Sequence, residues 1–500
     1  MTGKVILVGA GPGDPGLLTR RGEAVLTWAD TVVYDRLVGP EILAMIPASA
    51  RRFDVGKRPD HHPVPQQRIN ELLLEEAQQG RTVVRLKGGD PFLFGRGGEE
   101  LSLLAEHGVP FEVVPGVTSA LAAPTCAGIP VTHRDCASSL HIVTGHARAG
   151  KELEIPYAAL TEAGGTCVFL MGMAALEDIC SGLLAAGMAE DTPAAVVEQG
   201  TLPTQRKCIS ILAELPKRVR QAGLQNPAVI VVGTAAALSE RFDWFSRRPL
   251  FGKKVVVTRP AGRGGRLSAG LRELGAQVLE CPTIEPISTM NLEKMDRILH
   301  LLTAVQWIAF TSAFGVETFF DALWAAELDL RVLGNLRFAA IGPATARALE
   351  AYRLRADYIP QVYDTEHLAE GLAERAAGTV LLLRSAQGNP ALPRILAERG
   401  VDVLDMDTYE TRLRTDCPPE LKTWLTEGEV VVTFTSGSTV RGFAEMLGPR
   451  ADLSRVQGVS IGAQTAAVCE QYQISTIVAE QATEESLLER LMEQFGERSV

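Results

Sequence analysis

Arg85-Leu-Lys-Gly-Gly-Asp-Pro-Phe-Leu-Phe-Gly-Arg-Gly-Gly-Glu-Glu100 continues a β-branched run that starts at Thr82 and places five glycines between Lys87 and Glu99. So many glycines after a strand imply backbone pressed close to a ligand, because no Cβ holds the partner off. Phe92 and Phe94 argue against a freely solvated turn, since aromatic rings gain much from burial. A related loop lies upstream, where Val5-Ile-Leu-Val8 runs into Gly9-Ala-Gly-Pro-Gly-Asp14. That turn invites a dinucleotide reading, and Asp35 follows the next strand at about the expected distance. The fingerprint is broken, however: Asp14 stands where its third glycine belongs, and Pro12 stiffens the turn. No G-x-x-x-x-G-K-[ST] phosphate loop occurs either. NAD is not expected, and an NAD-linked oxidoreductase remains only as the alternative from another class.

Outward from these loops, β-branched runs at 5–8, 31–34, 82–86, 111–114, 142–144, 167–170, 194–198 and 229–232 alternate with helical stretches such as 69–79. Alternating strands and helices predict an α/β fold. Ser239–Lys254 breaks the rhythm with charge, aromatics and a proline, and reads as a linker. Beyond it the chain repeats itself. Lys254-Val-Val-Val-Thr-Arg259 is echoed by Val380-Leu-Leu-Leu-Arg384, Phe310-Thr-Ser312 by Phe434-Thr-Ser436, and Ile341-Gly-Pro-Ala-Thr345 by Ile461-Gly-Ala-Gln-Thr465. Two similar α/β lobes follow, each delivering Thr-Ser at the C-terminal end of a strand, where open parallel sheets place ligands.

Five hundred residues exceed one core. The expected division is 1–240, a linker at 241–253, and 254–500. With 46% hydrophobic and 22% charged residues the chain is a folded protein, not a disordered one. A net charge of −11 argues against nucleic acid as a partner. No apolar run approaches the ~18 residues of a spanning helix, and no signal peptide opens the sequence, so no membrane partner is expected. The eight cysteines are scattered without metal-like spacing, and His61-His62 has no third ligand nearby. A reduced, metal-free, cytoplasmic protein is the expectation.

The collinear set Gly9–Asp14, Tyr34-Asp-Arg-Leu-Val38, Val55-Gly-Lys-Arg58, Arg85–Glu100, Val114-Pro-Gly-Val-Thr118 and Gly128-Ile-Pro-Val-Thr-His-Arg134 resembles uroporphyrinogen-III C-methyltransferase over about residues 3–240. The resemblance implies a two-lobed tetrapyrrole methyltransferase fold, commonly a homodimer, with S-adenosylmethionine between the lobes and S-adenosylhomocysteine as product. Its cofactor contacts map to Pro12, Gly88, Gly89, Asp90, Leu93, Thr118, Ser119, Met171 and Gly200. The carboxylate of Asp90 suits a ribose hydroxyl or the ammonium group, and Met171 an apolar wall. Ser119 stands where the family more often has alanine, so contact there runs through backbone. Asp35 and Lys57 fall on the family's proton acceptor and donor; methylating a pyrrole carbon leaves a cation that must lose a proton, which a carboxylate can take.

Residues 251–500 resemble uroporphyrinogen-III synthase more loosely, through Val256-Val-Thr-Arg-Pro260, the paired Phe-Thr-Ser and Ile-Gly segments, and Thr408-Tyr-Glu-Thr411. That family implies two flavodoxin-like lobes joined by a two-stranded ladder, one lobe from 254–283 plus 411–500 and the other from 284–410. It closes the linear tetrapyrrole hydroxymethylbilane to uroporphyrinogen III while inverting ring D, so holding the chain in one fold matters most. Tyr409 matches the tyrosine suspected of assisting hydroxyl departure. Thr311, Ser312, Thr345, Thr435, Ser436 and Thr465 could hold substrate carboxylates, and Arg259 and Arg384, at matched repeat positions, could pair with them. The alternative for this half is a degenerate synthase lobe pair that acts as a substrate-binding or regulatory module. The whole then reads as a bifunctional enzyme making uroporphyrinogen III and methylating it at C2 and C7 to precorrin-2.

Overall fold

The computed structural model describes residues 3–56, 64–146, 154–260, 262 and 265–496, and the chain divides into two units after Gly252. In the first, β1 (Lys4–Gly9), β2 (Thr31–Tyr34), β3 (Arg51–Asp54), β4 (Thr82–Lys87) and β5 (Phe111–Val114) form a parallel sheet in the order β3-β2-β4-β1-β5. Val5, Ile6, Leu7 and Val8 of central β1 are wholly buried, as a strand covered on both faces must be. Alternation sends Ile6 and Val8 against Val25 and Ile42, and Val5 and Leu7 against Leu73 and Leu104.

A second sheet of the same unit holds β6 (Leu140–Thr144), β7 (Thr166–Leu170), β8 (Pro193–Glu198), β9 (Arg206–Ile211) and β10 (Ala228–Val232), in the order β6-β7-β10-β8-β9. Only β6 and β7 run parallel; β10 is antiparallel to both its neighbours and β9 to β8. The stretch read as a linker packs onto this unit. Lys207 on β9 donates to Ser239 Oγ at 3.0 Å and meets Asp243 Oδ2 at 2.9 Å. Trp244 Nε1 donates to the Thr125 carbonyl at 3.1 Å. Phe245, buried edge-on between Trp244 and Phe251, is the reason: an aromatic-rich segment covers apolar surface instead of spanning solvent.

The second unit opens with β11 (Lys254–Val257) and β12 (Gln277–Glu280). The chain then leaves to build β13 (Ile284–Ser288), β14 (Val305–Phe310), β15 (Arg337–Ala340), β16 (Thr379–Ser385) and β17 (Val403–Leu413). It returns as β18 (Val430–Phe434), β19 (Val456–Ser460) and β20 (Ser475–Val478). The interrupted lobe orders its strands β12-β11-β18-β19-β20, all parallel, which is the flavodoxin arrangement. The inserted lobe orders them β13-β17-β16-β14-β15. Without β13 this is the same layout entered at a different strand: β16 and β17 stand where β11 and β12 do, and β14 and β15 where β18 and β19 do. The sequence echoes fall on these equivalences. The two crossings pair as an antiparallel ladder, Ile284 opposite Leu413 through Ser288 opposite Tyr409. Among the described residues no helix is long and apolar enough to cross a membrane.

Candidate functional site

Three loops converge above β1, β4 and β5. Gly11 and Gly89 exchange backbone hydrogen bonds, the Gly89 amide to the Gly11 carbonyl at 2.7 Å and the Gly11 amide to the Gly89 carbonyl at 3.2 Å. A Cβ on Gly9 would stand 2.5 Å from Gly116 Cα, and one on Gly116 would stand 2.2 Å from the Gly89 carbonyl oxygen, so neither position admits a side chain. Gly89 differs. It adopts φ +68°, and among the described residues no heavy atom lies within 4 Å of where its Cβ would be. Backbone faces open space there, as a cradle for a ligand requires.

Asp90 holds the loops in register. Its Oδ1 accepts from the Phe92 and Leu93 amides at 2.8 and 3.2 Å, and its Oδ2 from the Gly116 amide at 3.0 Å. The carboxylate expected to greet a cofactor is thus a clasp between loops. Phe92 and Phe94, expected to be buried, are 60% and 38% exposed. Leu93, between them, turns inward against the cluster containing Ala120, Ala123 and Val197. Thr118 caps the helix Ser119–Cys126 by accepting from the Ala120 amide at 3.2 Å. Half-buried Pro12 lies beside Gly13, whose Cβ would touch Leu202, and Gly200 presses on Ala123, so the turn after β8 meets this region. Gln199, Thr201 and Met171 take left-handed φ of 48°, 77° and 56°; Met171 follows β7, its side chain exposed.

Asp35 follows β2 and accepts from the Leu37 amide at Oδ1, 3.0 Å. Leu37 abuts Gly88, whose Cβ would lie 2.6 Å from Leu37 Cβ, so this turn borders the glycine loop. Behind Asp35 stands a charged group that sequence reasoning passed over: Arg85 and Lys87 on β4 and Glu100 on the helix Gly97–Glu106, all buried. Its signal was present, since Arg85 and Lys87 alternate onto one face of a buried strand. Lys57 and His61-His62 lie outside the described residues.

In the second unit, Thr311-Ser312 and Thr435-Ser436 follow β14 and β18 at the strand C-termini, as the repeat implies. Both serines are helix caps, Ser312 Oγ accepting from the Gly315 amide at 3.0 Å and Ser436 Oγ from the Thr439 amide at 3.3 Å. Tyr409 is nearly buried, its ring edge-on to Phe314 at 5.1 Å. Thr345 and Thr465, each in the first turn of the helix that follows β15 or β19, are 3% and 5% exposed. The two arginines are taken up inside their lobes. Arg384 forks onto Asp405 at 2.7 and 2.5 Å and donates to the Asn389 carbonyl at 2.9 Å, while Arg259 pairs with Glu484. A substrate carboxylate at either arginine would have to compete with that partner.

The family profile for tetrapyrrole (corrin/porphyrin) methylases matches residues 4–216, and that for uroporphyrinogen-III synthase HemD matches residues 265–489. A porphyrin biosynthesis protein HemD of Ruminiclostridium josui is 45% identical over 497 residues, 99% of this chain and 98% of that protein. The chain belongs to the HemD family of porphyrin biosynthesis proteins. It joins a methyltransferase to a uroporphyrinogen-III synthase domain in tetrapyrrole biosynthesis. Siroheme synthase of Saccharophagus degradans is 49% identical over 244 residues, 49% of this HemD chain and 53% of that protein, so the chain spans about half of that relative. The uroporphyrin-III C-methyltransferase of Thermus thermophilus, crystallised with S-adenosylhomocysteine, is 39% identical, covering 47% of this HemD chain and all of its own, with a TM-score of 0.42. The convergent glycine loops lie in the methylase part, and the paired Thr-Ser turns in the HemD part.

Proposed function

We propose that the second unit cyclises hydroxymethylbilane to uroporphyrinogen III with inversion of ring D, and that the first methylates the product at C2 and C7 to precorrin-2, using S-adenosylmethionine. The end-to-end match to a HemD protein, together with the methylase and synthase segments that follow one another in this chain, supports this reading.

The first unit suits the donor. Open space at Gly89 and the close packing of Gly9, Gly89 and Gly116 form a cradle that a Cβ would fill. Pro12, Gly88, Leu93, Thr118, Ser119, Met171 and Gly200 would complete it, with backbone and hydroxyl groups for the polar parts and Leu93 and Met171 for the apolar ones. Asp90 would act by holding the loops. When bound, S-adenosylmethionine supplies an electrophilic methyl group. Asp35 would accept the proton that the methylated macrocycle loses: its Oδ1 is engaged by the Leu37 amide, and Oδ2 keeps a lone pair. Lys57 is the proposed proton donor.

In the second unit, Tyr409 would assist hydroxyl departure, while Thr311, Thr435 and the amides after Ser312 and Ser436 would hold carboxylates. A cytoplasmic homodimer formed through residues 1–240 belongs to the same proposal.

One incubation of the full chain with hydroxymethylbilane and S-adenosylmethionine tests both halves. Precorrin-2 and two equivalents of S-adenosylhomocysteine are expected. Unmethylated uroporphyrinogen III would defeat the methylation reading. A ring closed without inversion would defeat the synthase reading and leave the substrate-binding module in its place.

A further inference from the structure

Arg85 is 4% exposed, and three of its five N–H donors are held by hydrogen bonds. Nε donates to Glu100 Oε1 at 3.2 Å, and Nη1 to the carbonyls of Val33 and Leu86 at 3.3 and 3.0 Å. These bonds fix the guanidinium plane and aim Nη2 at Asp35 Oδ2, 3.6 Å away. That separation gives an ion pair but is too long for a hydrogen bond, so Oδ2 remains able to take a proton. Glu100, wholly buried, balances the cations: Oε1 also accepts from Lys87 Nζ at 3.0 Å and Gln66 Nε2 at 3.1 Å, while Oε2 has no hydrogen-bond partner among the described residues. Burial, and then the charge of Arg85, lower the pKa of the Lys87 ammonium. Buried ion pairs are weak sources of stability, because desolvation cancels much of their attraction. The buried trio of Arg85, Glu100 and Lys87 behind the candidate base Asp35 therefore asks for another reason.

We infer that Arg85 is a positioning residue for Asp35: held by Glu100 and two carbonyls, it sets the direction of Oδ2, while the Leu37 amide holds Oδ1. The inference rests on Asp35 being the proton acceptor of the methylation.

Arg85→Lys in the full chain keeps the charge and the partner of Glu100 but loses the planar fork. Expected are an unchanged melting profile, S-adenosylhomocysteine affinity within about twofold, KM for uroporphyrinogen III within about threefold, and kcat lower by about 10- to 100-fold, the scale of a small misplacement of a reacting group. With Asp35→Asn already present, Arg85→Lys should cost less than about twofold more, because the group it directs is gone. An unaffected kcat, an equal loss in the Asp35→Asn background, or a variant that fails to fold or to bind S-adenosylhomocysteine would overturn the inference. Asp35→Asn alone judges the underlying reading: activity within tenfold of the parent removes the base itself, whereas an inert Asp35→Asn beside an unaffected Arg85→Lys defeats only the positioning role.

Discussion

Asp90 and Gly116, 26 positions apart in sequence, are joined by one hydrogen bond of 3.0 Å from the glycine amide to the carboxylate. The same side chain caps the turn at Phe92 and Leu93, so one carboxylate fixes two of the three converging loops. Asp90→Ala leaves three amides without their acceptor, at a cost of about 1–3 kcal/mol for those that stay buried. S-adenosylhomocysteine affinity, measured by calorimetry, should fall at least tenfold, with Asp90→Asn intermediate because one oxygen acceptor remains. Parent-like affinity in Asp90→Ala would show that the loops hold their register without it.

Gly89→Val probes the cradle. The site offers room, but φ +68° costs a side chain about 1–2 kcal/mol, and the isopropyl group would enter the open space. Methylation should be lost while cyclisation of hydroxymethylbilane stays within about twofold. Methyl-donor affinity equal to the parent would remove Gly89 from the cofactor site.

Burial raises the thiols of Cys180 and Cys281 to about 12 and those of Cys126 and Cys167 to about 11, from an ordinary 9.0. The folded chain therefore holds these protons to higher pH than the unfolded chain does. Their contribution is fully present below about pH 9 and is lost as pH rises toward 11–12. Urea midpoints should fall between pH 9 and 11, and replacing Cys281 with alanine should flatten that fall. A midpoint independent of pH across this range would refute the expectation.

Phe245→Ala tests whether the stretch after Ser239 is structural. Removing a ring that is 2% exposed should cost about 3–5 kcal/mol. Melting followed through S-adenosylhomocysteine binding should shift down by several degrees, with synthase activity at 25 °C unchanged. An unshifted transition would return the stretch to a passive connection.

The buried strands were readable because their signal is local. Each of the eight expected in the first unit lies within two residues of its place, as Val5-Val8 does inside Lys4–Gly9. The two that escaped are edge strands: Arg51–Asp54, mostly exposed and charged, and Arg206–Ile211, paired on one side only. Edges carry polar residues that blunt further pairing, and with them the apolar signature disappears. The site divides similarly. The glycines announced close backbone approach, but Arg384 and Asp405 are 21 residues apart and Arg259 and Glu484 are 225 apart, so no local pattern shows that each cation already has its counter-ion. The clasp made by Asp90 was hidden for the same reason, since its partner Gly116 is supplied by another loop.

The interruption of one lobe by the other has a temporal side. Between the last residue of β12, Glu280, and the first of β18, Val430, the ribosome must add 150 residues, which at about 5–20 residues per second takes about 8–30 s. During that interval β11 has an open edge on the side that β18 will occupy, while the inserted lobe emerges as one continuous stretch and can complete its own sheet. The newborn chain thus carries a half-built sheet beside a finished one, and the half-built strands are where a nascent-chain chaperone or an aggregating neighbour would find it.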